Sequence, residues 1–228
     1  MQLQPYTGLI LGLAILVLPL LANLYFKIPD FKRVLTNFLK TYSVAGLGIL
    51  FLNSFILERG DWSIASRYLS KINIGIIPVE FFLFFFAVPF AGIVLYEIIN
   101  LKYKEKRIAL DNSFFYLFAF TFFALSIITA NHSYTTNVFF LNGVLMLVVS
   151  YFKNANVFLT KNFYIFTLLS LIPFIIIDAI LTMTPILTYK SASIIGFKIG
   201  SLAIEDFLLI FFLGSAFLTV YYLFKKRS

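Results

Sequence analysis

The chain has no cysteine, a single histidine, a single tryptophan, and charged side chains at only 12% of its 228 positions. Without cysteine there can be no disulfide, no thiolate nucleophile and no Cys-based metal site, and the redox compartment stays unassigned. The lone His132 lies in a short polar stretch between apolar runs, which leaves no histidine cluster for a metal. No phosphate-binding loop and no nucleophile with a partnering base is legible, and Gly46-Leu-Gly48 sits inside an apolar run without the strand context of a nucleotide loop. The scarcity of charge also excludes a soluble globule, whose surface could not be covered with so few polar groups. The net charge of +8 does not indicate nucleic acid, because Lys and Arg fall in short clusters between apolar runs rather than along a helix face.

What is present in excess is apolar: 61% hydrophobic residues, 30 phenylalanines and a mean hydropathy of +0.96. At about 20 apolar residues per crossing, the pattern predicts an all-α integral membrane protein with seven spans. These run from Tyr6 to Tyr25, Thr41 to Leu57, Ile76 to Ile99, Ser113 to Thr129, Thr136 to Phe152, Phe163 to Leu181 and Leu202 to Phe224. Continuous rather than alternating hydrophobicity disfavours a barrel. The first run lacks a basic leader and a small-residue cleavage site, so it reads as a retained helix. Gly8 and Gly12 within it have the spacing of a close helix contact. With the N-terminus outside and the C-terminus inside, thirteen of the eighteen Lys and Arg residues, Lys153 among them, fall in inner segments. Only Arg59, Arg67, Lys71, Lys190 and Lys198 remain outside.

Two stretches 125 positions apart are nearly the same: Asn73-Ile-Gly-Ile-Ile-Pro-Val-Glu-Phe-Phe-Leu-Phe-Phe-Phe86 and Lys198-Ile-Gly-Ser-Leu-Ala-Ile-Glu-Asp-Phe-Leu-Leu-Ile-Phe211. The same offset pairs Asn53 with Asp178, and one residue of slippage pairs Tyr25-Phe26-Lys27 with Tyr151-Phe152-Lys153. The chain therefore divides into a first three-helix repeat (1–105), a linker helix (106–130) and a second three-helix repeat (131–228). Four crossings apart, the motif spans are parallel, and parallel repeats bring equivalent residues to a shared interface. Glu80 and Glu205 are expected to face one another there.

A carboxylate inside a span costs about 2.5 to 3.5 kcal/mol at mid-membrane and less near the interface, so each one marks a candidate site. Glu80, Glu205, Asp206 and Asp178 fall at similar depth in the outer third, with Asn53 and Asn142 nearby. Helix capping is the plain alternative for the first three, since an N-terminal carboxylate satisfies free N–H groups and the dipole. It does not serve Asp178, near the end of its span. Adjacent helical residues point about 100° apart, so Glu205 and Asp206 cannot face one neighbour. Burial disfavours the charged form of a carboxyl group, which allows one in the membrane to act as a general acid. Phe81, Phe82, Phe84, Phe85, Phe207 and Phe211 surround the motif carboxylates, and their ring faces suit a carbocation. Simple lipid-facing packing is the alternative for each. Glu97, at the inner end of its span beside Lys102, reads as an interfacial charge. The outer connections, 58–75 and 182–201, lead directly into the motifs and are placed to cover them.

These residues resemble the lycopene cyclase domain family, the heterodimeric or fused type of membrane carotenoid cyclase. The family motif Pro-x-Glu-Glu, followed two residues later by Phe-Phe, is matched by Pro78-Val79-Glu80-Phe81-Phe82-Leu83-Phe84-Phe85 except at Phe81. The second motif, Pro-x-Glu-Asp-Phe, appears as Ala203-Ile204-Glu205-Asp206-Phe207. Gly60-Asp61-Trp62 is similar to the family's Gly-x-Trp, and Leu181-Thr-Met-Thr-Pro185 with Tyr189 to its Leu-Thr-x-Thr-Pro segment.

The resemblance implies a carotenoid (lycopene) β-cyclase, an intramolecular lyase or isomerase in the prokaryotic cytoplasmic membrane. An acid protonates the terminal double bond of a linear carotenoid, a neighbouring double bond closes the ring, and a base removes a proton. It implies Glu80 and Glu205 as acid and base with Asp206 and Asp178 supporting, and Asn53, Pro78 and the six phenylalanines around the substrate. No cofactor or metal is expected. The partners expected are a lipid-soluble polyene and membrane lipid, a second copy or companion carotenoid enzymes, and no nucleic acid. Phe81 removes one motif carboxylate, and Asp178 stands where the family more often has Asn. A parallel-repeat small-solute transporter and a non-catalytic carotenoid-binding subunit are the rival readings. A retinal protein is excluded because Leu202 to Phe224 contains no lysine.

Overall fold

In the computed structural model, which describes residues 6–75, 77–152, 156–183 and 186–227, the chain is mostly helical. Among the described residues six helices are long and apolar enough to cross a membrane, and a further apolar helix is shorter. Helix α1 (Thr7–Phe26) ends where Lys27 turns left-handed at φ 50° and its N–H bonds Asn23 O. Asp30 then caps α2 (Phe31–Thr41), which continues through a wide turn (Tyr42–Gly46) into α3 (Leu47–Glu58). The 28 residues of this composite helix would span about 42 Å at 1.5 Å per residue, more than the ~30 Å hydrocarbon core. Its first turns are accordingly amphipathic, with Val34, Asn37, Phe38 and Thr41 buried and Lys32, Arg33 and Lys40 exposed. The apolar-run rule began this span ten residues late, at Thr41, because it cannot see a helix continuing beyond the lipid.

Helix α4 (Val79–Lys102) starts directly after Pro78, whose fixed φ suits a helix boundary. The shorter α5 (Asn112–Ile128) packs on α6 (Ser133–Tyr151), and α7 (Lys161–Met183) and α8 (Ile204–Arg227) follow. Helices α1 and α7 lie along α4, while α2 and α6 lie along α8. The outward faces of α1, α3 and α7 expose Leu18, Leu21, Phe51, Phe55, Leu168 and Ile172. Such continuous apolar surface fits lipid and not water. Inside, Phe38, Phe90, Tyr96, Phe163, Phe166 and Tyr221 belong to one buried cluster joining both halves of the chain. Glycine sets one contact: a Cβ on Gly12 would lie 2.7 Å from Leu83 Cδ2, so α1 approaches α4 through its glycine face. At the far end of α4, Glu97 takes Lys225 Nζ at 2.7 Å on both oxygens and ties α4 to α8. The partner is Lys225 rather than the sequence neighbour Lys102.

Three two-stranded sheets occupy one end of the bundle. Strands β1 (Trp62–Ile64) and β4 (Leu187–Tyr189) pair antiparallel across the two halves, Trp62 with Tyr189, Ser63 with Thr188 and Ile64 with Leu187. Strands β2 (Asn73–Ile74) and β3 (Ile77–Pro78) form one hairpin, β5 (Lys198–Ile199) and β6 (Leu202–Ala203) another. Gly75 (φ 64°) and Gly200 (φ 66°) take the left-handed conformation that such tight turns require. Each of β1, β2, β3 and α4 has a counterpart 125 residues later, in β4, β5, β6 and α8. The spans expected to begin at Ile76 and Leu202 begin as helices only at Val79 and Ile204, because the preceding apolar residues form hairpins. Ile76 itself, Lys153, and Thr184 and Pro185 of the Leu-Thr-x-Thr-Pro segment lie outside the described residues.

Candidate active site

The first turns of α4 and α8 place their acidic residues under the sheets. Glu80 is fully buried, and its Oε1 accepts the backbone N–H of Ser70 at 2.6 Å. A Cβ on Gly8 would lie 2.9 Å from Glu80 Cγ, so the glycine of α1 makes room for this side chain. Glu205, 1% exposed, accepts on Oε1 from Thr135 Oγ1 at 2.6 Å and from the Ile195 N–H at 2.9 Å. The second oxygen of each glutamate is buried without a partner. Neither glutamate is hydrogen-bonded to the other.

The neighbouring residue on each helix turns elsewhere, as successive helical positions must. Phe81 stacks on Trp62, ring centroids 5.1 Å apart. Its counterpart Asp206 accepts Tyr134 OH on Oδ1 at 2.9 Å and Tyr189 OH at 2.9 Å on both oxygens. Asp178, from α7, lines the same cavity as Asp206 and keeps Oδ2 buried and unpartnered. Two carboxyl groups brought together in one cavity can hold one proton between them, as in other acidic dyads. Tyr189 sits outside the spans, and burial, followed by the negative charge of Asp206 and Asp178, pushes its hydroxyl well above the ordinary value. It therefore stays a hydrogen-bond donor and holds Asp206 in one orientation.

Two cavities meet at this dyad. The one beneath the sheets, about 190 Å³, is lined by Glu80, Asp178, Asp206, Tyr134, Tyr189 and Trp62 together with Asn53, Phe81 and other apolar groups. The other, about 320 Å³, continues between α1, α4, α7 and α8 with an almost wholly apolar lining, including Phe166, Ile177 and Phe217. Phe84, Phe85, Phe174, Leu181 and Asp178 line both. Of the site residues expected from sequence, Glu80, Asp178, Asp206, Asn53, Phe81, Phe84 and Phe85 thus come together. Glu205, Phe82, Phe207 and Phe211 line neither cavity. Phe207 supports Phe174 at 5.7 Å, Phe211 packs on Phe158 and Phe163, and Pro78 pairs with Asn73 in the hairpin. Asn142 bonds Val138 O and Leu208 O, stitching α6 to α8.

Tyr134, Thr135, Trp62 and Phe174 escaped the sequence argument as site residues. Tyr134 and Thr135 carried one usable signal: they are polar groups opening a helix at the same depth as the motif carboxylates. Above the chamber Asp61, 1% exposed, draws three segments together. It bonds the Arg59 guanidinium, Ser133 Oγ at 2.5 Å and Ser193 Oγ at 3.0 Å, and its carbonyl receives the Lys190 N–H at 2.9 Å. Burial alone would raise its pKa, but these hydrogen bonds and the Arg59 charge hold it below the ordinary carboxylate value.

Fold and site define a helical membrane protein with paired acidic groups at the junction of two largely apolar cavities. The lycopene cyclase family profile matches residues 5–99 and 131–224, and the chain belongs to the lycopene cyclase family. Membership brings a carotenoid cyclase-type function and a lipid-soluble carotenoid substrate. No curated protein and no solved structure matches the chain.

Proposed function

We propose that this protein is a membrane-embedded β-cyclase of linear carotenoid ends, with Asp178 and Asp206 as the acid–base pair. The observation that carries this reading is that these two carboxyl groups line one cavity where the polar-lipped chamber adjoins the apolar one. The end group occupies the chamber beneath the sheets and the polyene extends into the apolar cavity, so a lipid-borne substrate reacts without leaving the membrane.

The dyad proton passes from a carboxyl oxygen, for which Asp178 Oδ2 is the free one, to the terminal carbon–carbon double bond. The resulting tertiary cation is attacked by the neighbouring double bond, forming the ring bond and moving the positive charge into the ring. A proton then leaves the adjacent carbon for the dyad and restores a double bond. The proton count is unchanged and nothing is oxidised or reduced. Trp62 and Phe81 line the chamber, and aromatic faces near a cation contribute about 0.5 to 2 kcal/mol. Exclusion of water by the apolar walls prevents capture of the cation as an alcohol.

The architecture in this reading is two parallel three-helix repeats, 1–105 and 131–228, joined by a linker helix within 106–130, with seven spans, the N-terminus outside and the C-terminus inside. The common 125-residue offset of strands and helices supports it, as do the two profile matches flanking residues 100–130 and the clustering of Lys and Arg at one end. The site lies at the outer end. Pigment analysis in a lycopene-accumulating bacterium tests the function: cyclised, isobaric product from wild type and none from Asp206→Asn at equal membrane level is the expected result.

A further inference from the structure

We infer that Glu80 and Glu205, the two motif glutamates, are twin positioning residues that fasten the roof of the chamber rather than its acid and base. This rests on the cyclase reading for the identity of the reaction, and on the following geometry for the role. Each glutamate accepts, on Oε1, the backbone N–H of the residue ten positions before it: Ser70 at 2.6 Å and Ile195 at 2.9 Å. Ser70 and Ile195 are themselves counterparts at the 125-residue offset. A second pair of equivalent bonds closes the same loops, from the N–H of Val79 to Ile72 O at 2.9 Å and from the N–H of Ile204 to Phe197 O at 3.1 Å. Each roof segment is therefore sewn to the start of its helix twice, once through the backbone and once through the glutamate.

An acid and a base perform opposite tasks on one substrate, so two residues with the same backbone partner, of which only Glu80 lines the chamber, are poorly matched to those parts. Two residues with the same structural task should look alike, and these do. Both are buried, both give one oxygen to the loop, and both leave the other without a partner. What they hold differs. The segment fastened by Glu205 carries Tyr189, which orients Asp206. The segment fastened by Glu80 carries Trp62, Tyr68 and Leu69, all lining the chamber. Glu205, which lines neither cavity, thus reaches the reacting atoms through other side chains, and Glu80, which also lines the chamber, shapes it through the segment it holds.

An amide can accept the same N–H bond but cannot replace a carboxyl proton donor, so Gln and Ala separate the two roles. Wild type, Glu80→Gln, Glu80→Ala, Glu205→Gln and Glu205→Ala are compared in membranes of a lycopene-accumulating host, by product formation and by amide hydrogen exchange over residues 59–75 and 187–203. The Gln variants are expected to keep product formation within about tenfold of wild type and to keep the roof protected, whereas the Ala variants lose at least about a hundredfold and expose it. Loss of about 10²- to 10⁴-fold in a Gln variant whose roof stays protected overturns the inference, because that is the signature of a missing acid or base. A Gln variant that exposes the roof as fully as Ala also overturns it. If wild type forms no cyclised product, the cyclase reading fails separately, and the exchange arm decides: an Ala variant with a fully protected roof contradicts the fastening role.

Discussion

Asp178 of α7 and Asp206 of α8 line one cavity together with Glu80, Asn53, Tyr134 and Tyr189, and Asp178 also lines the apolar cavity that adjoins it. Asp206 is pinned by two tyrosine hydroxyls, while Asp178 keeps one oxygen free. The pair is thus unequal, one member oriented and one available. General acid–base catalysis contributes about 10² to 10⁴ in rate. Asp206→Asn and Asp178→Asn are each expected to lower cyclised product by that order, measured as initial conversion in isolated membranes at matched protein level.

Tyr189 donates to both oxygens of Asp206, whereas Tyr134 donates to one. Removing a donor to a charged acceptor costs about 1.5 to 3 kcal/mol, and a tenfold rate change corresponds to 1.36 kcal/mol. Tyr189→Phe should therefore slow conversion by about ten- to a hundredfold and more than Tyr134→Phe does. The ordering is read from rates at saturating substrate.

Gly92 lines the apolar cavity, and a Cβ there would meet only Phe166, 3.7 Å away. Gly92→Leu should fill part of the space assigned to the polyene without touching the dyad. The expected signature is weaker substrate binding with little change in the maximal rate, measured by carotenoid titration in detergent micelles. A variant that binds and turns over like wild type would remove the polyene from this cavity.

Lys225 closes on the half-buried end of α4 by binding both oxygens of Glu97. Lys225 remains more than a third exposed, so the pair is partly screened. Lys225→Met leaves the Glu97 carboxylate without its ion partner and should destabilise the bundle by about 1 to 2 kcal/mol. A lowered thermal midpoint in detergent, reversed in the Glu97→Gln, Lys225→Met double variant, is the outcome expected.

Asp61 is held below its ordinary pKa of 3.8, so the folded roof prefers its ionised form. The stability this contributes is fully present above pH 3.8 and is lost as pH falls through the lower, folded-state value. Protease sensitivity of the segment around residues 59–70 should rise in wild type on acidification below that value. In Asp61→Asn it should be raised at neutral pH already and respond less to acid.

The membrane class, the helices and the two motif segments were legible because hydropathy and a fixed offset survive any detail of packing. The role of each carboxylate was not. Glu80 and Glu205 stand out as the shared letters of both motifs, yet each gives an oxygen to its own loop, and although Glu80 also lines the chamber, the two halves differ in what the adjacent position brings to its wall. That position is Asp206 in one half and Phe81 in the other, so the departure from the motif falls on the chamber wall itself. Asp178 was marked as the carboxylate that capping could not explain, and it lines the chamber with Asp206. Tyr134 and Tyr189 lie 55 residues apart in the sequence, yet their ring centroids are 5.6 Å apart and both hydroxyls donate to Asp206, a convergence that needs the strand pairing of β1 with β4 and the packing of α6 on α8. Apolar-run lengths also missed the hairpins, since their residues are as hydrophobic as the helices that follow.

The most direct test of the central claim is chromatography and mass analysis of pigments from a lycopene-accumulating bacterium expressing wild type or Asp206→Asn at equal membrane level. Conversion of lycopene to an isobaric carotenoid with one or two β-rings by wild type, and its loss in the variant, is the predicted result. Unchanged lycopene with wild type, or equal conversion by the variant, would contradict it.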